Sequence, residues 1–252
     1  MLLAIDTSTS AIGAAVHDGE RVLARVVHED VRRHGELLAP AIARVLEEAG
    51  VDRRELTRIV CGVGPGPFTG LRVGVVSALV LAHSLGLPAP EGVCSLDALA
   101  HQLSSQGLVE GEVLVATDAR RKEVYWARYV VRPGAATRLE GPGVARAADL
   151  DPAVRGLPTV GRGPLLYPDA LPHGLPDGPR DVDPGSLADL AVALARGEHP
   201  DAETGPGDHR DAEAGPGHHR DSETGPGRGL LVPEPLYLRR PDAVVQAAGT
   251  RP

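Results

Sequence analysis

Gly64-Pro65-Gly66-Pro67-Phe68-Thr69-Gly70-Leu71-Arg72 stands between two apolar runs, and its reading decides the rest of the chain. Before it, Ile59 to Val63 is a short apolar run bounded by turn residues, which predicts a buried strand. After it, Leu71, Val75 and Leu79 recur at four-residue spacing, which predicts a helix to about Leu85 with Thr69 as N-cap. Three glycines and two prolines make a rigid strand-to-helix loop. Its N–H groups, aimed at a helix N-terminus, suit an anion. No Lys-Ser/Thr pair closes it, so it is not a Walker A loop. The same residues serve equally as a rigid loop that only sets the helix angle. On the predicted helix Gly70, Gly74, Ala78 and Ala82 recur every four residues, so another element can approach closely. Spacing alone favours packing against the chain's own sheet, with a subunit interface as the second reading.

Upstream, Leu2 to Ile5 and Ala11 to Val16 are strand-like runs around the turn Asp6-Thr7-Ser8-Thr9-Ser10. Asp18-Gly19 marks the next turn and Arg21 to Val27 a third strand. An antiparallel meander at the start differs from a Rossmann opening, where a helix follows the first strand. His34 to Ala49 reads as a helix, with Leu38, Ile42, Val45 and Ala49 in periodic positions and Gly50 as the stop. Pro40 is tolerable only if that helix begins close to Glu36 or Leu37. The hydroxyl-rich turn could cradle a phosphate, with Asp6 near a metal or an attacking water. It reads equally as a hairpin whose side chains satisfy their own backbone.

Downstream, Val113 to Ala116 and Glu123 to Val131 flank a turn at Thr117 to Arg121, a hairpin that opens the second half. Leu187 to Ala195 is a short helix. From His199 a decapeptide recurs three times, beginning His199-Pro-Asp-Ala-Glu-Thr-Gly-Pro-Gly-Asp, with further copies from His209 and His219. Proline and glycine in every unit, with almost no apolar side chains, predict a disordered insert. Metal binding by its histidines would carry a heavy ordering cost. Deleting residues 198–228 should leave the thermal midpoint nearly unchanged. Apolar patterning resumes at Leu230 to Leu238, so the chain is expected to dock back. The expected organisation is residues 1–105 as a first lobe, 106–196 as a second, 197–229 as the insert and 230–252 as a returning segment.

The chain has 252 residues, 42% hydrophobic but only 2% aromatic, so its core must come from Val, Leu, Ile and Ala. A formal net charge of −8 argues against an autonomous nucleic-acid binder, which needs a concentrated basic surface. Cys61 and Cys94 cannot make a disulfide framework and fit a reducing compartment. Asp6 follows the opening apolar residues too soon for a signal peptide, and no apolar run reaches membrane-spanning length. A soluble cytoplasmic protein is expected, with no membrane partner.

A D-[TS]-S turn paired with a glycine-proline loop resembles the actin, hexokinase and Hsp70 superfamily. Leu3-Ala4-Ile5-Asp6-Thr7-Ser8, His34-Gly35-Glu36-Leu37-Leu38-Ala39-Pro40 and the Gly64–Arg72 string resemble the TsaB (YeaZ) family of the glycoprotease group. So do Ser95-Leu96-Asp97-Ala98-Leu99-Ala100, Asp118-Ala119-Arg120-Arg121-Lys122-Glu123-Val124-Tyr125 and Pro235-Leu236-Tyr237-Leu238-Arg239. The repeat has no counterpart in that pattern, and Pro133 to Gly185 matches loosely. The resemblance implies an α/β fold of the actin-like, sugar-kinase and Hsp70 type (ribonuclease H-like, two lobes). It implies a non-catalytic subunit for threonylcarbamoyl transfer to tRNA adenosine beside the anticodon. Such a subunit binds the catalytic TsaD paralogue, is joined by the TsaE ATPase, reaches tRNA only through the complex, and forms a homodimer when alone.

The catalytic relative holds its metal with an H-x-E-x-H run on a helix. By order and spacing this run corresponds to Ser95 to Leu99, so both ligand positions are lost and no metal is expected. His101 is expected at the surface or as a cap. Asp118, Arg120 and Glu123 then support folding or contacts. The resemblance also moves the small-faced helix toward the interface reading. Leu38, Ile42, Val45, Gly70, Gly74, Val75, Ala78 and Ala82 become the expected partner-facing residues, and bulk at Gly74 or Ala78 should block binding while the monomer stays folded. Asp6, Thr7, Ser8, Gly64 and Gly66 are the candidate phosphate-binding set. No cofactor is required, with ATP or ADP at the subunit interface as an open reading. The alternative function is a small-molecule kinase or phosphatase of the same superfamily with Asp6 as base. A metallopeptidase is disfavoured by the lost ligand pair.

Overall fold

The computed structural model describes residues 1–29, 34–199 and 229–238. The strands β1 (Leu2–Asp6), β2 (Ala11–His17) and β3 (Val22–Glu29) form an antiparallel meander. The helix α1 (His34–Ala49) leads to β4 (Arg58–Gly64), parallel to β1. The helix α2 (Phe68–Leu85) then leads to β5 (Glu91–Cys94), parallel to β4, giving the order β3-β2-β1-β4-β5. β1, β2 and β4 are buried with no polar alternation because helices cover both faces of this sheet. Leu3, Ile5, Ala14 and Val16 point to the side of α1 and α2, while Leu2, Ala4 and Ala15 point to the other.

The helix α3 (Ser95–Gln106) follows β5 directly. A second meander then runs through β6 (Gly111–Asp118), β7 (Glu123–Arg132) and β8 (Ala135–Arg146). After the short helix α4 (Pro152–Arg155), β9 (Thr159–Val160) lies parallel beside β6, giving β8-β7-β6-β9. The second sheet thus repeats the order of the first: a three-strand meander, then a parallel strand on the far side of its first strand. This is the duplicated actin-like, sugar-kinase topology that the sequence implied. A short helix α5 (Gly163–Leu166) precedes α6 (Pro184–Arg196), whose Asp183 accepts from the Ser186 N–H as N-cap.

Although α6 follows the second sheet in sequence, it packs on the first, beside α3, and α3 packs on the second. One apolar cluster therefore runs from Leu2, Ala4 and Val60 through α3 and α6 to Val113, Val115 and Tyr129. Residues 229–238 return to the first sheet. Leu231 exchanges two backbone hydrogen bonds with Gly92 (2.7 and 2.8 Å), and the Leu236 N–H donates to the Val63 carbonyl at 2.7 Å.

Several expectations are corrected. α1 begins at His34, so Pro40 lies inside it, on its exposed side, and removes one backbone hydrogen bond there. The N-cap of α2 is Pro67, with no side-chain cap. Pro67 is still extended (φ −60°, ψ 134°) and the helix starts at Phe68, one residue before Thr69. By length and composition α2 is apolar enough to cross a membrane, against the expectation that no run reached that size. It lies instead on the first sheet, burying Gly70, Leu71, Gly74, Val75, Ala78 and Ala82. The decapeptide repeat lies outside the described residues from 200 onward.

Candidate functional site

β1 delivers Asp6 to the end of the first sheet, where the chain turns into β2. The carboxylate is enclosed. Ser8 N–H donates to Oδ1 at 2.9 Å, Ser8 Oγ donates to it at 2.8 Å, and Ser95 Oγ donates to Oδ2 at 3.0 Å. Burial pushes Asp6 up to about 6, and these hydrogen bonds only partly oppose the shift. Ser95 Oγ in turn accepts from the Gly64 N–H at 3.1 Å, and Thr7 Oγ1 donates to the Gly70 carbonyl at 2.7 Å. Gly66 backs onto the Ser8 carbonyl with no room for a Cβ. The turn and the glycine loop thus satisfy and fill each other. Asp6, Thr7 and Ser8 are 2% exposed or less, and Gly64 and Gly66 are buried, so the phosphate-binding set expected from the sequence is enclosed, with Ser8 alone of the five reaching the wall of the neighbouring cleft.

Beyond this closed core, a cleft of about 270 Å³ separates the turn ends of the two sheets. Its walls include Ser8, Ser10, Thr69, Asp118, Arg120 and Arg162. The β6–β7 turn is the second sheet's counterpart of the Asp6 turn. Asp118 accepts from the Arg120 N–H at 2.7 Å and pairs with its guanidinium at 2.9 Å. Arg120, Arg121 and Lys122 have φ of 62°, 52° and 65°, each costing on the order of 1 kcal/mol or more. Backbone hydrogen bonds between Ala119 and Glu123 and between Glu123 and Arg120 hold them there. Arg162 grips Asp181 and reaches Glu29 at 3.3 Å, while Asp181 accepts from the Ser10 N–H at 3.1 Å. Arg162 and Asp181 therefore tie the two lobes together across the cleft. Neither was singled out in the sequence, because they fall in the loosely patterned stretch before Gly185.

On α3 the positions one turn apart are Ser95 and Leu99. Ser95 is committed to Asp6 and Gly64, and Leu99 is fully buried in the shared cluster. Neither offers a metal donor of useful strength. Among the described residues no group of three or more His, Cys, Asp or Glu could hold a metal ion. Asp97 accepts from the Tyr129 hydroxyl at 2.7 Å. His101 is corrected from a surface position to a buried one. Its ring lies edge-on to that of His199 with centroids 6.1 Å apart, and burial drives it down to about 4. Cys61 and Cys94 are buried and pushed up to about 12, which leaves them as protonated core thiols.

The expected partner-facing residues are also corrected. Leu38, Val45, Gly70, Gly74, Val75, Ala78 and Ala82 all pack into the chain's own core, and only Ile42 is half-buried. A Cβ on Gly74 would overlap Thr7 Oγ1, so the small face is the seam between α2 and its sheet. The outward face of α2 carries a different stripe: Val76 is 53% exposed, Leu79 38% and Val80 62%. Exposed Arg72 stands one turn before Val76 on the same side.

A sequence model of the family described as TsaD, tRNA N6-adenosine threonylcarbamoyltransferase, matches residues 21–158. An uncharacterized protein of Mycobacterium tuberculosis is 46% identical over 168 residues, which is 62% of this chain and 72% of that one. The tRNA threonylcarbamoyladenosine biosynthesis protein TsaB of Bacillus subtilis is 34% identical over 133 residues, 53% of this chain and 56% of that protein. The structure of YeaZ from Pseudomonas aeruginosa superposes with a TM-score of 0.64 at 31% identity, covering 78% of this chain and 93% of that one. Two lobes with one sheet order, closed over the Asp6 turn, define an actin-like, sugar-kinase-type protein. Within that class, the chain belongs to the TsaB/YeaZ family.

Proposed function

We propose that this chain serves tRNA threonylcarbamoyladenosine biosynthesis as a docking subunit rather than as the transferase. It binds a TsaD-type transferase through the outward face of α1 and α2, a TsaE-type ATPase joins the assembly, and tRNA is reached through the complex in the cytoplasm. The observation that carries this reading is the stripe Val76, Leu79 and Val80, apolar and exposed on the outward face of a helix whose opposite face packs into the core. The match to the TsaD family spans α1 and α2. A TsaD-type partner would therefore offer an equivalent helix pair, and a pseudo-twofold arrangement would bury two matching stripes. The same geometry allows a homodimer when that partner is missing.

The donor set supports a non-catalytic role. Ser95 and Leu99 hold structure where a metal grip would need two imidazoles. The kinase alternative needs Asp6 as a base facing substrate, yet this carboxylate is enclosed and engaged by both serines. The interlobe cleft remains the place where a nucleotide would enter. The test is calorimetric titration of the chain with the TsaD protein of its own organism, alongside a tRNA modification assay with and without the chain. A charge forced into a packed apolar interface is strongly unfavourable, so Val80→Glu should weaken binding about a hundredfold and abolish stimulation of transfer. Unchanged affinity in Val80→Glu, or threonylcarbamoyl transfer by the chain alone, would overturn the proposal.

A further inference from the structure

The α2 stripe does not account for the Pro235-Leu236-Tyr237 motif, yet this motif ends against the start of the same helix. Leu231 is paired to the outer edge of β5 at Gly92, and the Leu236 N–H is bonded to Val63. These anchors bring the Tyr237 ring to 5.0 Å from the Phe68 ring, centroid to centroid, at the first residue of α2. The Arg72 guanidinium lies 4.0 Å over the Phe68 ring, and its Nε donates to the Tyr237 hydroxyl at 3.2 Å. Arg72 is exposed, and no carboxylate pairs with it among the described residues.

An arginine in this setting is unusual in a way that matters for docking. Its long side chain would normally lose much rotamer freedom on binding, but the ring below and the hydroxyl beside it already restrict it. Arg72 is exposed, and it stands one helical turn before Val76 and two before Val80, so the remaining N–H donors of the fork are available beside the stripe. A fork of that kind meets a carboxylate in two parallel hydrogen bonds. We infer that the returning segment is part of the docking surface: Tyr237 holds Arg72 on Phe68 so that its guanidinium pairs with an acidic side chain of the TsaD-type partner beside the apolar stripe. This inference rests on the docking reading proposed above. It assigns Arg72 the partner contact and Tyr237 a positioning role.

The test uses the full chain and the TsaD protein of its organism, with affinity measured by calorimetry at two salt concentrations. Arg72→Gln should weaken binding about tenfold and reduce its salt dependence, and Arg72→Glu should weaken it further by like-charge repulsion. Tyr237→Ala should match Arg72→Gln, while Tyr237→Phe, which keeps the ring and loses the hydroxyl, should cost only a few-fold. Because both residues act through one contact, the Tyr237→Ala/Arg72→Gln pair should be no weaker than either single variant. Wild-type affinity in Arg72→Gln, or additive losses in the pair, would overturn the inference. Should Tyr237→Ala fail to fold, Tyr237→Phe and the exposed Arg72 variants still decide it. Val80→Glu separates the two levels. Loss in Val80→Glu with none in Arg72→Gln leaves the docking face standing and removes the strap from it. Wild-type binding by Val80→Glu removes both.

Discussion

Asp6 is a carboxylate that folding takes almost wholly out of water, and its proton equilibrium follows from that. Burial raises it from the ordinary 3.8 to about 6, so between those values the folded chain holds a proton that the unfolded chain has released. Stability must therefore fall as pH rises through this window, by about 3 kcal/mol at 1.36 kcal/mol per unit. Urea unfolding at pH 4, 5, 6 and 7 should show this decline, and Asp6→Asn should flatten it. A wild-type profile that climbs over the same range would contradict the assignment. Gly74 makes a second prediction at this scale. A side chain there drives into Thr7 Oγ1, which is bonded to Gly70. Gly74→Ala should cost roughly 1–3 kcal/mol by overpacking, and Gly74→Leu should fail to fold rather than merely lose a partner. Thr7→Ala should recover part of the Gly74→Ala loss, which a double-mutant cycle in urea would show.

At the scale of elements, much was legible because turn residues and apolar periodicity are local signals. The opening meander, α1, β4 and the β6–β7 hairpin all stand close to where spacing put them. The reading of α2 shows where legibility stops. Its small stripe and its branched stripe are both apolar, so periodicity found the helix but could not say which stripe met the sheet. Spacing favoured the chain's own sheet for Gly74 and Ala78, and family resemblance pulled them outward. The structure sides with the spacing. β8 was missed because its burial is mixed and Gly141-Pro142 interrupts it, so nothing alternates cleanly. The Arg162–Asp181 pair was invisible because its partners are 19 residues apart with no pattern between them. The returning segment yields a prediction of its own. A Cβ on Gly92 would crowd the Val232 carbonyl at 2.8 Å and Val63 Cγ1 at 2.7 Å. Gly92→Val should therefore lift residues 230–238 from the sheet. Hydrogen exchange should speed up at the Leu231 and Leu236 amides while the β1–β2 amides keep their protection. Unchanged exchange at those two positions would mean that the segment is held by something other than its pairing to β5.

For the molecule as a whole, the decisive feature is the helical layer that the two lobes share. The sequence suggests a cut near residue 105, between α3 and β6. The packing crosses that cut twice, since α6 returns to the first sheet and α3 lies on the second. A fragment of residues 1–105 would keep its meander, α1 and α2, but the face of Leu2, Ala4, Ala15 and Val60 would lose α6, and Leu99 and Leu103 would lose Tyr129. Leu187, Leu190 and Ala191 are each 1% exposed or less in the full chain, so their removal uncovers a broad apolar surface. At about 25 cal/mol per Å² of lost apolar burial, a few hundred Å² equals much of the 5–15 kcal/mol that holds a typical domain. Residues 1–105 alone should therefore show no cooperative urea transition and should bind a hydrophobic dye. The full chain should unfold in one transition when followed by both circular dichroism and Trp126 fluorescence. Trp126 reports on β7 while most of the ellipticity comes from helices on both sheets, so two separated midpoints would show lobes that are stable independently.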